Sequence, residues 1–304
     1  MTSSDNPTTP NLLKVSNPGP FTQLMMEAFM LLGRYFVVIY PIFLYFILRS
    51  LLSPKALPDY QHWAWWVVSV GFIAIWFLFE AGWHAMTFQA VQLYETQRTQ
   101  TIPENPSEIP PEIVFPFALL RAFIPGIGEY GLRFLVGGFL NIMLFALPAA
   151  AMIWLGIQTI GIPHLILPFL NTPEFQTQQF EKAFLAASAP EQMQLLLWEG
   201  IFWAILLLTL LVTNLTMYWR PYVIMHQFSP PRAFLKSVRF IFKHPLLTIQ
   251  ILFLSVALGL LAALTSLSTW TALFGFFLMI LIMLYLQFIL YLVLYRADGP
   301  QQIT

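Results

Sequence analysis

The sequence predicts an all-α protein that crosses a membrane six times and carries three amphipathic helices at the membrane surface. Composition is the first observation behind this fold class. Of the 304 residues, 58% are apolar and only 9% are charged, whereas a soluble domain carries about 25% charged residues. The second observation is length, because six stretches reach the roughly 20 apolar residues that a membrane-spanning helix requires.

Charge balance and cysteine content exclude several classes of function. The 14 basic and 14 acidic residues give no net charge, and the chain has no cysteine. A neutral chain disfavours nucleic acid as a partner, and a chain without cysteine forms neither disulfides nor thiolate metal sites. We therefore expect membrane lipids, a membrane-protein partner or a second copy of the chain as partners, and no cofactor.

The predicted elements form one helical membrane domain at residues 21–296, between a disordered, cytoplasmic N-terminus at residues 1–20 and a cytoplasmic tail at residues 297–304. The N-terminus is rich in Ser, Thr, Asn and Pro and cannot bury a core. Residues 21–34 have helical apolar spacing and predict the first interfacial helix. The six spans are predicted at residues 35–52, 63–88, 134–157, 195–218, 246–267 and 272–295.

The distribution of Lys and Arg predicts the orientation. Six spans put both termini on one side of the membrane, and only Arg49, Lys55 and Lys182 among the 14 cations fall on the other side. Since short basic loops stay in the cytoplasm, we expect both termini to be cytoplasmic.

Three long connectors join the spans. Residues 89–115 interleave prolines with acidic residues and predict a solvated cytoplasmic linker. Residues 162–194 lie on the outer side, where Thr172 can cap a helix that ends near Ala187. Residues 220–244 form a basic cytoplasmic connector.

An internal repeat organises these elements. The segments that begin at Pro116 and Pro231 share Pro, Ala, Leu and a basic residue in register, and each leads into a span. The segment from Pro20 has the same outline with fewer identical residues. We interpret the pattern as three hairpin repeats, each an interfacial helix followed by two spans. Chance similarity between apolar segments is the alternative.

Polar side chains inside the spans are the candidates for a functional site, because such groups are costly in hydrocarbon. Glu80 and Glu199 are the carboxylates within the predicted spans, and His84 lies on the same helix face as Glu80. The full set of intramembrane polar candidates is Glu80, His84, Asn141, Glu199, Asn214, Gln250 and Gln287.

Several interpretations of this set are open. The first is hydrogen bonding between helices of a non-enzymatic accessory, assembly or lipid-interacting protein. The second is a transporter or channel for a small solute or amphiphile, with Glu80 and His84 on the path. An intramembrane enzyme would depend on the same two residues and Glu199. The sequence contains no Gly-x-Ser-x-Gly, His-Glu-x-x-His or Walker motif, and we predict no catalytic residue.

Two further patterns are candidate sites. His84, His226 and His244 all fall near the cytoplasmic side, but nothing in their spacing requires a metal, and we predict none. The glycines between Pro125 and Gly131 predict a sharp turn before the third span, since the residues of a phosphate-binding loop do not follow them.

Residues 231–243 predict a basic amphipathic helix at the cytoplasmic surface. Its cations recur at helical spacing and form one stripe beside apolar residues, a pattern that attracts anionic lipid headgroups. The alternative is that they only signal topology. The lipid-headgroup candidates are Arg232, Lys236, Arg239 and Lys243.

The string Ala-Phe-Leu-Lys-Ser-Val-Arg-Phe-Ile-Phe-Lys-His-Pro at residues 233–245 resembles poorly characterised six-helix bacterial inner-membrane proteins related to the membrane domain of glycerophosphodiester phosphodiesterases. The resemblance covers residues 231–254 and, less clearly, 116–145. It implies an accessory protein of the bacterial inner membrane, or of the thylakoid membrane in a cyanobacterium, tied to envelope or lipid homeostasis. Because the chain has no phosphodiesterase domain, the resemblance implies neither catalysis nor site residues.

Overall fold

In the computed structural model, the described residues are 19–51, 62–99, 116–162, 187–265 and 272–299. Every regular element within these ranges is a helix, so the all-α fold class is confirmed for the described part of the chain. The α-helices are α1 (Phe21–Arg34), α2 (Tyr40–Leu51), α3 (His62–Thr99), α4 (Phe123–Thr159), α5 (Ala189–Thr216), α6 (Trp219–His226), α7 (Pro230–Lys243), α8 (Pro245–Thr265) and α9 (Ala272–Asp298). Short 3-10 helices at Phe36–Ile39 and Pro116–Ala122 precede α2 and α4.

Five helical stretches of the described chain are long and apolar enough to cross a membrane, so the chain is a multi-pass membrane protein. These stretches are Val67–Arg98, Pro116–Thr159, Ala189–His226, Pro245–Thr265 and Phe274–Asp298. A sixth arises if Phe21–Arg34 and Phe36–Arg49, which are bent by 80°, count as one broken span. Six spans therefore stay a prediction.

The predicted first span is broken near its start. α1 ends at Arg34, a 3-10 helix follows, and α2 begins at Tyr40. Pro41 lies in the first turn of α2. In a continuous helix its ring would collide with the carbonyl of Val37, and it has no N–H to donate to that carbonyl. The proline therefore explains why the 3-10 helix ends and α2 begins here, whereas the 80° bend lies at Tyr35, between Phe21–Arg34 and Phe36–Arg49.

The second spanning helix extends well beyond its predicted end at residue 88. α3 continues to Thr99, and its last turns bury Ala90, Val91 and Glu95. The prediction of a solvated linker is wrong for this part, because burying these side chains stabilises further helical turns. The rest of the predicted linker, residues 100–115, lies outside the described residues.

The chain folds into two compact units: one contains residues 1–135 and 218–304, and the other contains residues 136–217. Within the first unit, α9 packs against α1, α3 and α8, while α7 packs against α6. The core of this unit is aromatic. Its fully buried rings include Tyr35, Phe134, Tyr218, Trp219, Phe288 and Tyr291.

Glycines bring α3 and α4 into close contact within the first unit. A Cβ added to Gly126 would lie 2.5 Å from the Cβ of Ala85, and one added to Gly82 would lie 2.7 Å from the carbonyl oxygen of Phe123. The residues from Pro125 to Gly131 are helical throughout, so the predicted sharp turn is wrong. The glycines instead remove side chains where the two helices approach.

The second unit contains the C-terminal part of α4 and all of α5. Trp198 Nε1 donates a hydrogen bond of 2.9 Å to the carbonyl oxygen of Gly161, and Gln194 Nε2 donates one of 2.9 Å to Ile160. Gly156 leaves space for Ile201, whose side chain would lie 2.5 Å from an added Cβ. These contacts hold the end of α4 against α5.

Several predictions fall on residues that the structure does not describe. They concern residues 1–18 of the N-terminus, residues 172–186 of the outer helix and residues 300–304 of the tail. The three predicted interfacial segments all begin with helix, at Phe21, Pro116 and Pro230. Their descent from a threefold repeat stays a prediction.

Candidate functional site

Glu80 lies in the core of the first unit and pairs with a cation from another helix. Its side chain is buried, and its Oε1 lies 2.9 Å from Nε of Arg220 on α6. The N–H of this Nε is not aligned with the carboxylate oxygen, so the contact is an ion pair and not an aligned hydrogen bond. Glu80 Oε2 is buried and has no hydrogen-bond partner among the described residues.

His84 and Gln287 join the same core through neutral hydrogen bonds. His84 Nδ1 lies 3.1 Å from the hydroxyl of Tyr291, and Gln287 Nε2 donates to Thr87 Oγ1 at 2.9 Å. Both bonds join α3 to α9. Glu80 and His84 lie on the same face of α3 but contact different helices. Glu80 pairs with a cation of α6, and His84 hydrogen-bonds to a hydroxyl of α9.

Arg220 is fixed by its neighbours while part of it reaches the surface. Its guanidinium carbon lies 4.9 Å from the ring centroid of Trp219. Trp219 is fully buried, and the centroid of its ring lies 5.4 Å from that of Phe134 and 5.1 Å from that of Phe234. The Arg220 side chain is nevertheless 26% exposed. A buried carboxylate and a buried indole thus orient a cation that remains accessible.

The other four intramembrane candidates lie elsewhere in the chain. Asn141, Glu199 and Asn214 belong to the second unit, and Gln250 is exposed on α8 of the first. The side-chain oxygen of Asn141 is buried without a hydrogen-bond partner among the described residues. Of the seven candidates, the core of the first unit contains Glu80, His84 and Gln287.

Glu199 and Asn214 make hydrogen bonds within α5. Exposed Glu199 accepts one of 3.2 Å from Trp203 Nε1, and Asn214 Nδ2 donates one of 2.7 Å to the carbonyl of Leu210. Such bonds within one helix satisfy polar groups without joining helices.

A second buried ionic cluster was not predicted. Arg296 of α9 donates to Glu27 of α1 and, from Nε at 2.9 Å, to Glu95 of α3. Arg98 adds a second cation 3.2 Å from Glu27. Since Arg296 and both carboxylates are buried, this cluster ties α1, α3 and α9 together.

The predicted basic helix is confirmed as α7, and one of its faces is buried against α6. Ser237 Oγ accepts a hydrogen bond of 3.1 Å from the backbone N–H of Tyr218. The ring of Phe240 lies 4.6 Å from that of Tyr218, and Phe234 packs on Trp219. These contacts fix the rotation of α7 about its own axis.

The opposite side of α7 exposes apolar and cationic side chains together. Leu235 is 72% exposed and Phe242 is 76% exposed, and their spacing of seven residues puts them on one edge of the helix. The adjacent edge carries Arg232, Arg239 and Lys243, all exposed. The fourth candidate, Lys236, is half-buried. α7 therefore has a buried face, an exposed apolar edge and an exposed cationic edge.

The four cations of α7 form no ion pair with a carboxylate in the described part of the chain. Arg232 and Lys236 instead lie over the ring of Phe228, at 4.4 Å and 5.9 Å from its centroid. Their charge is therefore available to an anion from outside the chain.

The histidines do not converge on a metal site in the described ranges. His84 bonds Tyr291, and the rings of His226 and Phe228 stack at 5.3 Å. His244, between α7 and α8, packs on Phe240 at 4.7 Å. Burial lowers the pKa of His244 from its usual value, which favours the neutral imidazole.

Comparisons with known proteins add no relative. No family model, no curated protein and no solved structure matches the chain. The resemblance to the membrane domain of glycerophosphodiester phosphodiesterases therefore stays a prediction.

Proposed function

We propose that the chain is a non-enzymatic membrane protein that binds anionic lipid headgroups through α7 at the cytoplasmic surface of its membrane. The observation that carries this proposal is the division of α7 into a buried face, an apolar edge and a cationic edge. Leu235 and Phe242 are exposed on α7. Exposing two large apolar side chains to water costs free energy, so this edge of the helix favours an apolar environment.

A membrane surface accounts for both exposed edges at once. A helix that lies in the plane of the bilayer inserts its apolar side chains at the boundary of the acyl chains and keeps its cations at the level of the phosphates. Arg232 and Arg239 have no carboxylate partner among the described residues, so no internal ion pair must break before they meet a phosphate. Docking on α6 prevents α7 from rotating to bury its apolar edge.

The cations of α7 should contribute a definite free energy to the binding of anionic lipid. Each Lys or Arg near an anionic membrane surface contributes about 1 kcal/mol. Removing two of them should cost about 2 kcal/mol, which corresponds to about a 30-fold loss of preference for anionic lipid. Because the effect is electrostatic, salt should weaken it.

The experiment measures lipid preference on the full chain. The purified protein is mixed with phosphatidylglycerol and phosphatidylcholine of the same acyl chains, and bound lipids are counted by native mass spectrometry. R232Q/R239Q should lose most of the preference for phosphatidylglycerol, and the matched control R232K/R239K should keep it. L235S/F242S should bind less of both lipids. Equal preference in R232Q/R239Q and the unaltered chain would refute the proposal.

The pairing of Glu80 favours this proposal over a transporter. A transport path through Glu80 and His84 requires a carboxylate that exchanges its proton with the neighbouring histidine. The partner of Glu80 is instead the guanidinium of Arg220, whose Nε lies 2.9 Å from Oε1 and which does not exchange protons, while His84 Nδ1 lies 3.1 Å from the hydroxyl of Tyr291.

A further inference from the structure

We infer that Arg220 is a binding site for a single phosphate group of an amphiphile, and that Glu80 is the positioning residue that orients it. This inference rests on the proposed lipid contact and names one defined site within it, on the helix against which α7 packs. The shared chemistry of the ligand is a phosphate oxyanion, carried either by a lipid headgroup or by free phosphate.

Two nitrogens of the Arg220 guanidinium, Nη1 and Nη2, remain accessible. Its Nε is buried beside Glu80 Oε1 at 2.9 Å. Nε is the only nitrogen of this guanidinium that is buried without an aligned hydrogen bond. No described residue accepts a hydrogen bond from Nη1 or Nη2, so these two nitrogens make up the polar part of the 26% of the side chain that is exposed.

Buried residues of the core fix the orientation of the guanidinium. Glu80 is buried and holds the Nε edge, while the buried ring of Trp219 covers one face at 4.9 Å. With one edge and one face fixed, the remaining edge presents both Nη groups in a fork. That fork matches two oxygens of one phosphate group, a geometry in which charge-assisted hydrogen bonds are strongest.

Arg220 lies near one end of a membrane-spanning stretch. It is the second residue of α6, four residues after the apolar helix α5 ends, and belongs to the stretch Ala189–His226, which is apolar enough to cross a membrane. Cations at the ends of such stretches reach the phosphate level of the bilayer. Because Nε of Arg220 lies beside Glu80 Oε1 at 2.9 Å, the two Nη donors are directed away from Glu80.

Arg220 differs in kind from the cations of α7. Those act by charge alone, and lysine should replace arginine there without loss. At Arg220 the fork matters, because lysine has a point charge and cannot offer two parallel N–H donors. Arg220→Lys should therefore weaken phosphate binding about tenfold, the loss expected from one charge-assisted hydrogen bond. Glu80→Gln should weaken it as well, since it releases the Nε edge.

The experiment measures ligand-dependent stabilisation of the full chain in a nonionic detergent. Three probes are titrated: dihexanoyl phosphatidic acid, dihexanoylglycerol with the same chains and no phosphate, and inorganic phosphate. The thermal unfolding midpoint rises with ligand concentration according to the dissociation constant. We expect phosphatidic acid to stabilise the chain and dihexanoylglycerol to have no effect. Stabilisation by inorganic phosphate at equal concentration would identify free phosphate as the ligand source.

The variants separate a binding site from a purely structural ion pair. Arg220→Lys and Glu80→Gln should raise the dissociation constant for phosphatidic acid, and Arg34→Lys, an exposed arginine of α1, should leave it unchanged. A structural pair would lower the midpoint of both variants without ligand and leave the dissociation constant as it was. That second pattern, or equal stabilisation by the phosphate-free probe, would overturn the inference.

A measurement on the unaltered chain covers the case in which the variants do not fold. Phosphatidic acid with a photoreactive group beside its phosphate should crosslink to α6, and crosslinks confined to other helices would overturn the inference. The two proposals fail separately. R232Q/R239Q tests the charge of α7 alone, whereas Arg220→Lys preserves charge and tests the fork alone.

Discussion

Replacing Gly126 with alanine should force α3 and α4 apart, and the structure gives the size of the effect. The new Cβ would lie 2.5 Å from the Cβ of Ala85, where ordinary contact begins at 3.4 Å. The helices must therefore separate by about 1 Å, an overpacking that costs about 1–3 kcal/mol. Alanine also favours the helix by about 1 kcal/mol relative to glycine, so the net destabilisation should be about 1 kcal/mol.

Gly128 provides the matched control, because it lies in the same helix and an added Cβ there meets nothing within 4 Å. Gly128→Ala should gain the same helix propensity without the steric cost. The difference between the two variants therefore isolates the close approach and should be about 1–3 kcal/mol. The free energy of unfolding is measured by tryptophan fluorescence in mixed micelles. The double variant G126A/A85G should recover part of the loss, and equal effects of G126A and G128A would refute the close packing of α3 and α4.

Two further changes test the ionic cluster and a titrating group. Arg296→Met should destabilise the chain by about 3–5 kcal/mol, because it removes the buried cation that Glu27 and Glu95 share and leaves only the half-exposed Arg98 beside Glu27. Arg34→Met on the exposed surface should change the free energy of unfolding by no more than about 0.5 kcal/mol. Similar losses in the two variants would contradict the buried cluster. The lowered pKa of His244 means that the unfolded chain binds a proton more readily than the folded chain just below pH 6.5. Stability should therefore fall as the pH drops through that window, and His244→Gln should flatten the decline in the thermal midpoint; an unchanged decline would contradict the burial of the imidazole.

Composition predicts the fold class, but the places where the structure differs from the predicted helices depend on tertiary contacts. Periodicity predicted α1 and α7 because their apolar residues repeat at helical spacing. The end of α3 that the sequence predicts at residue 88 is too early, because the polar residues that follow indicate solvent, although Ala90 and Val91 continue the buried face. Pro41 is a visible signal for the start of α2 after the 3-10 helix. The glycines near Gly126 predict a turn because a sequence does not show which helix approaches them.

In the candidate site, too, the sequence predicts single residues but not their partners on other helices. Its position inside a span identifies Glu80 as a candidate, but its partner Arg220 lies 140 residues later in the chain, in a segment that the sequence predicts to be a basic connector. Glu27 did carry a signal, because it shares the buried face of α1 with Leu24 and Leu31. Its counter-ion Arg296 looked like a topology signal at the end of the last span. Ion pairs between distant segments depend on how helices pack, which periodicity within one helix does not reveal.

The depth of α7 in the bilayer tests the central claim most directly. The chain has no cysteine, so a nitroxide label on a single introduced cysteine reports one position. In bilayers that contain phosphatidylglycerol, labels at Leu235 and Phe242 should be accessible to molecular oxygen and shielded from a water-soluble nickel complex, and a label at Arg239 should show the reverse trend. If the nickel complex reached all three positions equally well, α7 would lie in water, and this result would contradict lipid contact through the helix.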